Sequence, residues 1–289
     1  MQLLLQLAIN GVAIGCLYAL VAVGFAVIFG VTRIFHFAHG ATYLLAAYAY
    51  YATVSIFHFS ALVGLGIAAL VAMAFGSACE RLVYRPMLRS ESSFLTVFVA
   101  SFGLFIVVEN LIVLIFGSGF STLESALSKG LLFGPFELSP VGIIAIGGSA
   151  VLLLGLELFL AHTDAGTALR AMADSAELVQ IIGLDRHRCA QLAFAAGSLL
   201  AVPAAVLSVH LSGLSPQSGA SMILIAMAST IVGGIGSLYG AALGGVVLGV
   251  AENVGIWRLP ASWGDGIAFG VLLLFLLLRP AGIVSALRR

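Results

Sequence analysis

This chain has few charges for its length. Charged residues make up 8% of its 289 residues, whereas soluble domains average about 25%. The net charge is zero and the only lysine is Lys129, which is followed by Gly130. A GxxxxGK[ST] phosphate-binding loop therefore cannot exist, and no basic surface indicates nucleic acid. If ATP drives this protein, the ATPase belongs to another chain.

Metal-binding and redox motifs are also missing. The three cysteines, Cys16, Cys79 and Cys189, are widely spaced and fit neither a metal nor a redox pattern. His36 and His39 form an HxxH pair without a third ligand or a carboxylate, so a zinc enzyme is disfavoured. We predict that the two histidines bind backbone groups where a helix is interrupted, as in transporters with broken helices.

Hydrophobic residues are abundant, at 62% of the chain, and the mean hydropathy is +1.18. A transmembrane helix needs about 20 mostly apolar residues. Long apolar runs must be helical, because any other open structure would leave backbone N–H and C=O groups without hydrogen-bond partners in lipid. We predict a single all-α domain over residues 1–289: a polytopic transmembrane bundle of eight to nine spans with a short cytoplasmic helix. The spans fall near 3–30, 40–58, 61–80, 93–117, 139–161, 189–211, 219–236, 238–256 and 264–279.

The glycine-rich pair 219–256 leaves two alternatives open: two helices, or one broken or re-entrant segment. Gly236, Gly240 and Gly244 recur at four-residue steps, and Gly245 and Gly249 repeat that spacing. Small residues at this spacing allow close helix packing. An unwound point near 233–236 is the functional alternative to packing alone.

The arginines orient the bundle. With nine spans, ten arginines fall on one side and only Lys129 and Arg258 on the other. Because cytoplasmic loops are enriched in basic residues, we expect the N-terminus outside, the C-terminus in the cytoplasm and the loop 117–138 on the outer surface. The segment 162–188 then lies in the cytoplasm.

That segment, HTDAGTALRAMADSAELVQIIGLDRHR, holds seven charged residues between two apolar runs. Its spacing predicts an amphipathic helix over 167–182, capped by Thr167 and ended by Gly183, with a pair between Arg170 and Asp174. The apolar face would comprise Leu169, Met172, Ala176, Val179 and Ile182. The helix could lie on the membrane or dock a partner. Arg170 is opposed by Asp174 and Glu177, which fits a protein better than anionic lipid.

Polar residues inside the predicted spans are candidates for a substrate pathway, because such groups are costly in lipid. Glu109 and Asn110 lie deepest, whereas Glu157 and Glu252 lie near helix ends, where they could simply reach water. We predict a pathway that involves His36, His39, Glu109, Asn110 and Glu252.

Several segments together resemble the LivH/LivM-type permeases, the membrane subunits of ABC importers for branched-chain amino acids, and the LivH half more closely. GVAIGCLYALVAVGFAVIFGVTRIFHFAHG is similar to the family's first signature, and GTALRAMADSAELVQIIGLDRHR to its cytoplasmic loop. IVGGIGSLYGAALGGVVLGVAEN and LLLRPAGIVS are similar to its C-terminal signatures. His36 and Glu109 depart from the family pattern, which has Asn and a neutral polar residue there.

The resemblance implies a permease of the bacterial inner membrane that needs no cofactor. It also implies a second, LivM-like permease, two cytoplasmic ATPases and an extracytoplasmic substrate-binding protein. The segment 162–188 would meet the ATPase through Arg170, Asp174, Glu177 and Gly183. Branched-chain amino acids are the expected cargo, and related permeases carry urea or short-chain amides. A stand-alone transporter that is proton-coupled through Glu109 is the remaining alternative.

Overall fold

The computed structural model describes residues 2–123, 131–133, 136–175, 177, 179, 183–260, 263–279 and 282–284. Eleven α-helices account for most of them. They are α1 (Gln2–Thr32), α2 (His39–Tyr51), α3 (Ala61–Ala78), α4 (Arg85–Arg89), α5 (Phe94–Phe116), α6 (Pro140–His162), α7 (Asp164–Asp174), α8 (Arg186–Leu211), α9 (Ser218–Gly233), α10 (Leu238–Gly255) and α11 (Gly264–Leu278). Two π-helical turns extend α2 to Ile56 and join α3 to α4 through Cys79–Tyr84.

The predicted all-α membrane bundle is confirmed, and every predicted span corresponds to a helix. In the described part of the chain, six helical segments are long and apolar enough to cross a membrane, namely α1, α3 with its extension, α5, α6, α8 and α10. The helices α2, α9 and α11 are shorter. The sequence did not reveal a small antiparallel hairpin in the loop before α6, formed by β1 (Leu131–Phe133) and β2 (Phe136–Leu138).

The boundaries of the helices follow from local chemistry. Ser60, Ser93, Ser139 and Ser237 precede α3, α5, α6 and α10, and each side chain accepts a hydrogen bond from a backbone N–H of the first turn. Such caps satisfy donors that the helix itself leaves free. Pro140 follows its cap directly, at a position where the missing N–H costs nothing.

Helix α1 lies at the centre of the bundle. Every residue from Leu17 to Ile28 is buried, and the helix packs against α6, α8, α9 and α10. A helix that is apolar on all sides is expected in such a place. Helices α5 and α6, in contrast, lie at the periphery. Their exposed faces are rich in Leu, Ile, Val and Phe, as lipid contact requires.

Two pairs of glycines bring the halves of the chain into contact. A Cβ on Gly24 of α1 would lie 2.6 Å from the carbonyl oxygen of Gly197 in α8, and the reverse distance is also 2.6 Å. Gly40 of α2 and Gly219 of α9 contact each other in the same reciprocal way. Helix α3 packs on α2 and α8, while α10 packs on α9 and α1. The contacts among α1, α2 and α3 thus have counterparts among α8, α9 and α10.

The connection between α1 and α2 is irregular and buried. Ile34, His36, Phe37 and Ala38 are all less than a tenth exposed, and α2 itself buries all but three of its 13 residues. Non-helical backbone at membrane depth is tolerated where protein surrounds it. The short helix α2 is therefore an inner element, enclosed by α3, α8, α9 and α5.

The glycine-rich pair 219–256 forms two separate antiparallel helices. Gly240 and Gly244 face the backbone of Gly233 and Ser229 in α9, whereas Gly245 and Gly249 face α1. Each of the two predicted glycine series on α10 therefore packs against a different helix. The turn between the helices contains Gly234 at φ 109° and Gly236 at φ 93°, conformations that glycine adopts without strain.

Candidate functional site

The polar segment forms a helix whose bounds differ from the predicted 167–182. Helix α7 begins at Asp164 because the side chain of Thr163 caps it, accepting a hydrogen bond from the Gly166 N–H at 2.9 Å. It ends at Asp174, and Ser175 is extended at φ −154° and ψ 106°. The prediction of Thr167 as the cap and of one continuous helix was therefore wrong. Residues 176, 178 and 180–182 lie outside the described part of the chain.

Helix α7 is attached to the membrane helices at several points. Leu169 and Met172 are buried, as predicted for its apolar face, and so is Val179 beyond the break. Ala176 and Ile182 lie outside the described residues. A Cβ on Gly166 would collide with the backbone of Phe159 and Leu160 in α6, so α7 folds back closely onto the helix before it.

A hydrogen bond joins α7 to the end of α1. The guanidinium of Arg33 donates to the carbonyl oxygen of Ala173 at 3.0 Å. Arg33 has φ 58°, which is uncommon for a residue with a side chain. The unusual backbone turns the chain from α1 into the buried connection that leads to α2. The end of α1 thus contacts α7 and continues into the connection that leads to the inner helix.

Arg170 lies in a groove of the bundle, whereas Asp174 and Glu177 face the surface. Arg170 contacts Thr167, with 3.4 Å between its guanidinium and the hydroxyl, and the described residues include no ion pair with Asp174. The predicted pair was therefore wrong. Arg170 lines a groove with Glu157 of α6 and Tyr239 of α10, whereas Asp174 and Glu177 are exposed.

The segment ends in a turn that a glycine and an aspartate define. Gly183 has φ 83°, a left-handed conformation that suits a helix-terminating glycine. Asp185 caps α8 by accepting a hydrogen bond from the His187 N–H at 2.8 Å. That bond, with Arg188 nearby, holds the pKa of the Asp185 carboxyl below its usual value, because it stabilises the charged form.

The two histidines lie at the centre of the protein and are completely buried. Their ring centroids are 5.8 Å apart. Nδ1 of His36 lies 2.8 Å from the hydroxyl of Tyr84, and that hydroxyl donates to Oγ of Ser101 at 2.8 Å. The same Oγ accepts from the Ala38 N–H at 3.0 Å. We call His36, His39, Tyr84 and Ser101 the histidine cluster.

The hydrogen bonds of the histidine cluster define a tautomer. Since Tyr84 donates to Ser101, its oxygen accepts a hydrogen bond from the Nδ1–H of His36, which leaves Nε2 as an acceptor. Nε2 has no hydrogen-bond partner among the described residues. The prediction that His36 binds backbone was wrong, because a tyrosine occupies that place. Among the described residues, no three metal-ligating side chains lie together.

The remaining pathway candidates lie apart from one another. Asn110 is exposed and donates to the Ile106 carbonyl oxygen at 2.8 Å, and Glu109 is half-buried beside it on α5. Glu109 is eight residues beyond Ser101, which is about 12 Å along the helix. Glu252 accepts a hydrogen bond from Tyr18 at 2.8 Å. Glu252 therefore ties α10 to α1.

Sequence reasoning missed Tyr84 and Ser101, because a tyrosine or serine within an apolar run carries no signal of its own. It also missed Glu80, which is buried within a predicted span and could have been found by the rule that flagged Glu109. Ser221, which donates to Asp265 at 2.9 Å, was likewise invisible because the partners lie far apart in sequence.

Comparison with known proteins adds to this geometry. Residues 7–276 match the family described as "Branched-chain amino acid transport system / permease component". The chain belongs to this permease family. It is 31% identical to the high-affinity branched-chain amino acid permease BraD of Pseudomonas aeruginosa, over 97% of this chain and 95% of BraD. LivH of Escherichia coli is 30% identical over the same shares of the two chains.

A solved structure shares the fold of the permease. It is PsaBC from Streptococcus pneumoniae in complex with Fab, with a TM-score of 0.53 and 14% identity over 97% of this chain and 94% of that one. The permease is a multi-pass protein of the bacterial inner membrane. It is a transport subunit of an ABC importer and not an enzyme, and ATP hydrolysis is carried by separate subunits.

Proposed function

We propose that this permease imports leucine, isoleucine and valine by alternating access, together with a second, LivM-like permease subunit. Two cytoplasmic ATPases would drive the cycle and an extracytoplasmic binding protein would deliver the cargo. The named cargo of BraD and LivH supports this substrate class. The observation that carries the mechanism is the attachment of α7 to both α6 and α1.

We place the α7 side in the cytoplasm, with the N-terminus outside and the C-terminus inside. Eight described arginines lie at that end of the bundle: Arg33, Arg81, Arg85, Arg89, Arg170, Arg186, Arg188 and Arg279. Arg258, at the opposite end, lies 4.3 Å from the ring centre of Trp257. Basic residues accumulate on the cytoplasmic side, and tryptophan is enriched at membrane interfaces.

In this proposal, α7 is the coupling element. Asp174 at its end and Glu177 beyond the break at Ser175 are exposed and are therefore available to basic side chains of an ATPase. Arg170 faces the groove beside α6 and α10, so its role is to position α7. Gly183 allows the chain to turn back towards α8. A displacement of α7 would reach α1 through Arg33 and Ala173.

For the pathway, we propose that the cargo passes near the histidine cluster. Buried polar groups within membrane helices mark such pathways, and Nε2 of His36 is an acceptor without a partner among the described residues. Glu109, with Asn110 beside it, would act at a separate point on α5, about 12 Å along the helix from Ser101. Glu252 would act at the outer end, where it joins α10 to α1.

The experiment is charge reversal at Asp174 and Glu177 in the complete transporter, reconstituted in proteoliposomes with its loaded binding protein. We expect the double substitution to Lys to abolish the stimulation of ATPase activity by the binding protein and to lower leucine uptake at least tenfold. Glu91→Lys, an exposed reversal outside α7, is the matched control. Unchanged uptake by the double variant would refute the coupling role.

The other cargo and energy sources are tested in the same vesicles. If urea or acetamide competed with leucine for uptake, the cargo would be urea or short-chain amides and not the branched-chain amino acids proposed above. Uptake by this chain alone under a proton gradient, without ATPase subunits, would favour a stand-alone transporter. Family membership already supports the ABC importer over that alternative.

A further inference from the structure

A cavity of about 470 Å³ lies at the α7 side of the bundle, inside a single chain. Small-molecule sites usually measure roughly 300–1,000 Å³ and combine apolar walls with a few polar groups. Its walls come from the end of α1, the π-helical turn after α3, α4, α7, the turn at Gly183 and the first turns of α8. We call it the Glu80 cavity.

The carboxyl group of Glu80 is the most buried charged group of this cavity. Glu80 is 3% exposed, and its Oε2 has no hydrogen-bond partner among the described residues. Oε1 lies 3.8 Å from Nδ1 of His187, and no described arginine is within 4.0 Å of the carboxylate. Glu80 belongs to a π-helical turn, a distortion that is frequent at functional sites. Gln191 donates a hydrogen bond to this carboxyl group and Arg85 acts on it electrostatically, so the unpartnered Oε2 leaves room for one further donor, which a cationic ligand would supply.

Two guanidinium groups line the same cavity. Arg89 of α4 and Arg186 of α8 are exposed at its mouth, and a guanidinium binds a carboxylate through two parallel hydrogen bonds. The apolar part of the wall is formed by Ile34, Leu88, Met172, Ala190 and Phe194, and the further polar residues that line it are Thr32, Tyr84, Asp185 and His187. One wall thus offers a site for an ammonium group, the mouth a site for a carboxylate, and the remainder a surface for an aliphatic side chain.

We propose that the Glu80 cavity binds the zwitterion of an aliphatic amino acid from the α7 side and that its occupancy slows the transport cycle. The ammonium group would bind Glu80 and the carboxylate Arg186 and Arg89. This inference rests on the proposed function, because the orientation makes the ligand the imported amino acid itself. The cavity is then a site through which the accumulated product regulates its own import.

The sign of the effect follows from the lining of the cavity. The ligand would touch the turn at Gly183 and Met172 of α7 on one side, and the helices α1 and α8 on the other. A ligand that bridges them stabilises the arrangement in which the cavity exists and shifts the population towards it. Alternating access requires the coupling segment to move. Stabilising one of its positions therefore slows turnover.

The test uses the complete transporter in nanodiscs without the binding protein, with radiolabelled leucine as the ligand. We expect saturable binding that Glu80→Gln weakens roughly tenfold or more, because the charge-assisted contact with the ammonium group is lost. Arg186→Gln, at an exposed position, should weaken it similarly without a risk to folding. Glu91→Gln is the matched control and should bind as the unmodified protein does. Leucinamide and isocaproate, each lacking one charge, should not compete.

The functional readout is leucine uptake and ATPase activity with leucine added on the ATPase side. We expect inhibition in the unmodified transporter and its loss in both Glu80→Gln and Arg186→Gln. Absence of saturable binding, or binding and inhibition that neither substitution alters, would overturn the inference. A failure of uptake driven by the loaded binding protein would count against the proposed function instead, since the binding measurement does not require transport.

Discussion

The side chain of Arg33 at the end of α1 holds the last turn of α7 through the carbonyl oxygen of Ala173, at 3.0 Å. This bond is a direct link between α7, the proposed coupling element, and the central helix of the bundle. Substitution Arg33→Gln should preserve insertion and ATPase activity but lower the leucine taken up per ATP hydrolysed severalfold.

Parallel assays of ATP hydrolysis and uptake in proteoliposomes measure this ratio. Arg188→Gln is the control, because Arg188 lies on the same side and contacts Asp185 within α8 and its cap. An unaltered ratio in Arg33→Gln would show that α7 transmits its movement by another route.

The glycine crossing of α1 and α8 leads to a prediction about stability. Gly24→Ala would place a Cβ 2.6 Å from the Gly197 carbonyl oxygen, a distance at which the helices must separate. Overpacking of this kind costs about 1–3 kcal/mol. We expect a melting temperature several degrees lower in detergent. Gly66→Ala and Gly147→Ala, where a Cβ meets nothing within 4 Å, should leave it unchanged or raise it.

Tyr84→Phe tests the histidine cluster. The substitution removes the hydroxyl that joins His36 to Ser101 and leaves both buried groups short of a partner. Such a loss costs about 1–3 kcal/mol. We expect lower thermal stability together with reduced uptake. Tyr51→Phe, a half-buried tyrosine on α2, is the control. If Tyr84→Phe and Tyr51→Phe had the same leucine uptake, the histidine cluster would not be part of the substrate pathway.

The cap at Asp185 leads to a prediction about pH. Because the hydrogen bond from His187 holds the pKa of Asp185 below its ordinary value of 3.8, the cap is fully formed above that value. It is lost only as the pH falls through the lower pKa of the folded protein. Uptake by Asp185→Asn should therefore equal that of the unmodified protein from pH 5.5 to pH 8, since Asn also caps helices well.

Asp185→Ala removes the acceptor and should lower uptake throughout that range. The initial rate of leucine uptake in proteoliposomes, measured at each pH, distinguishes the two variants. A rate for Asp185→Ala equal to that of the unmodified protein would mean that the start of α8 does not depend on its cap.

The sequence predicted the spans well because apolar runs of this length have no alternative to helix in lipid. It could not predict where Gly24 meets Gly197, since a contact between distant residues follows from the packing of the whole bundle. The end of α7 at Asp174 was also hidden, because the apolar spacing continues across Ser175. Tyr84 and Ser101 became recognisable only when folding placed them beside His36.

The crossing with α8 at Gly24 divides α1 into two parts of unequal length. From Gly24 to Thr32, next to α7, the helix measures about 12 Å, and from Gly24 to Gln2 about 33 Å. No side chain separates the two backbones at the crossing, so a rotation of α1 relative to α8 during the proposed transport cycle would pivot here. A displacement at Thr32 would then move the Gln2 end in the opposite direction by roughly three times the distance. Such a rotation would open one face of the membrane while it closes the other.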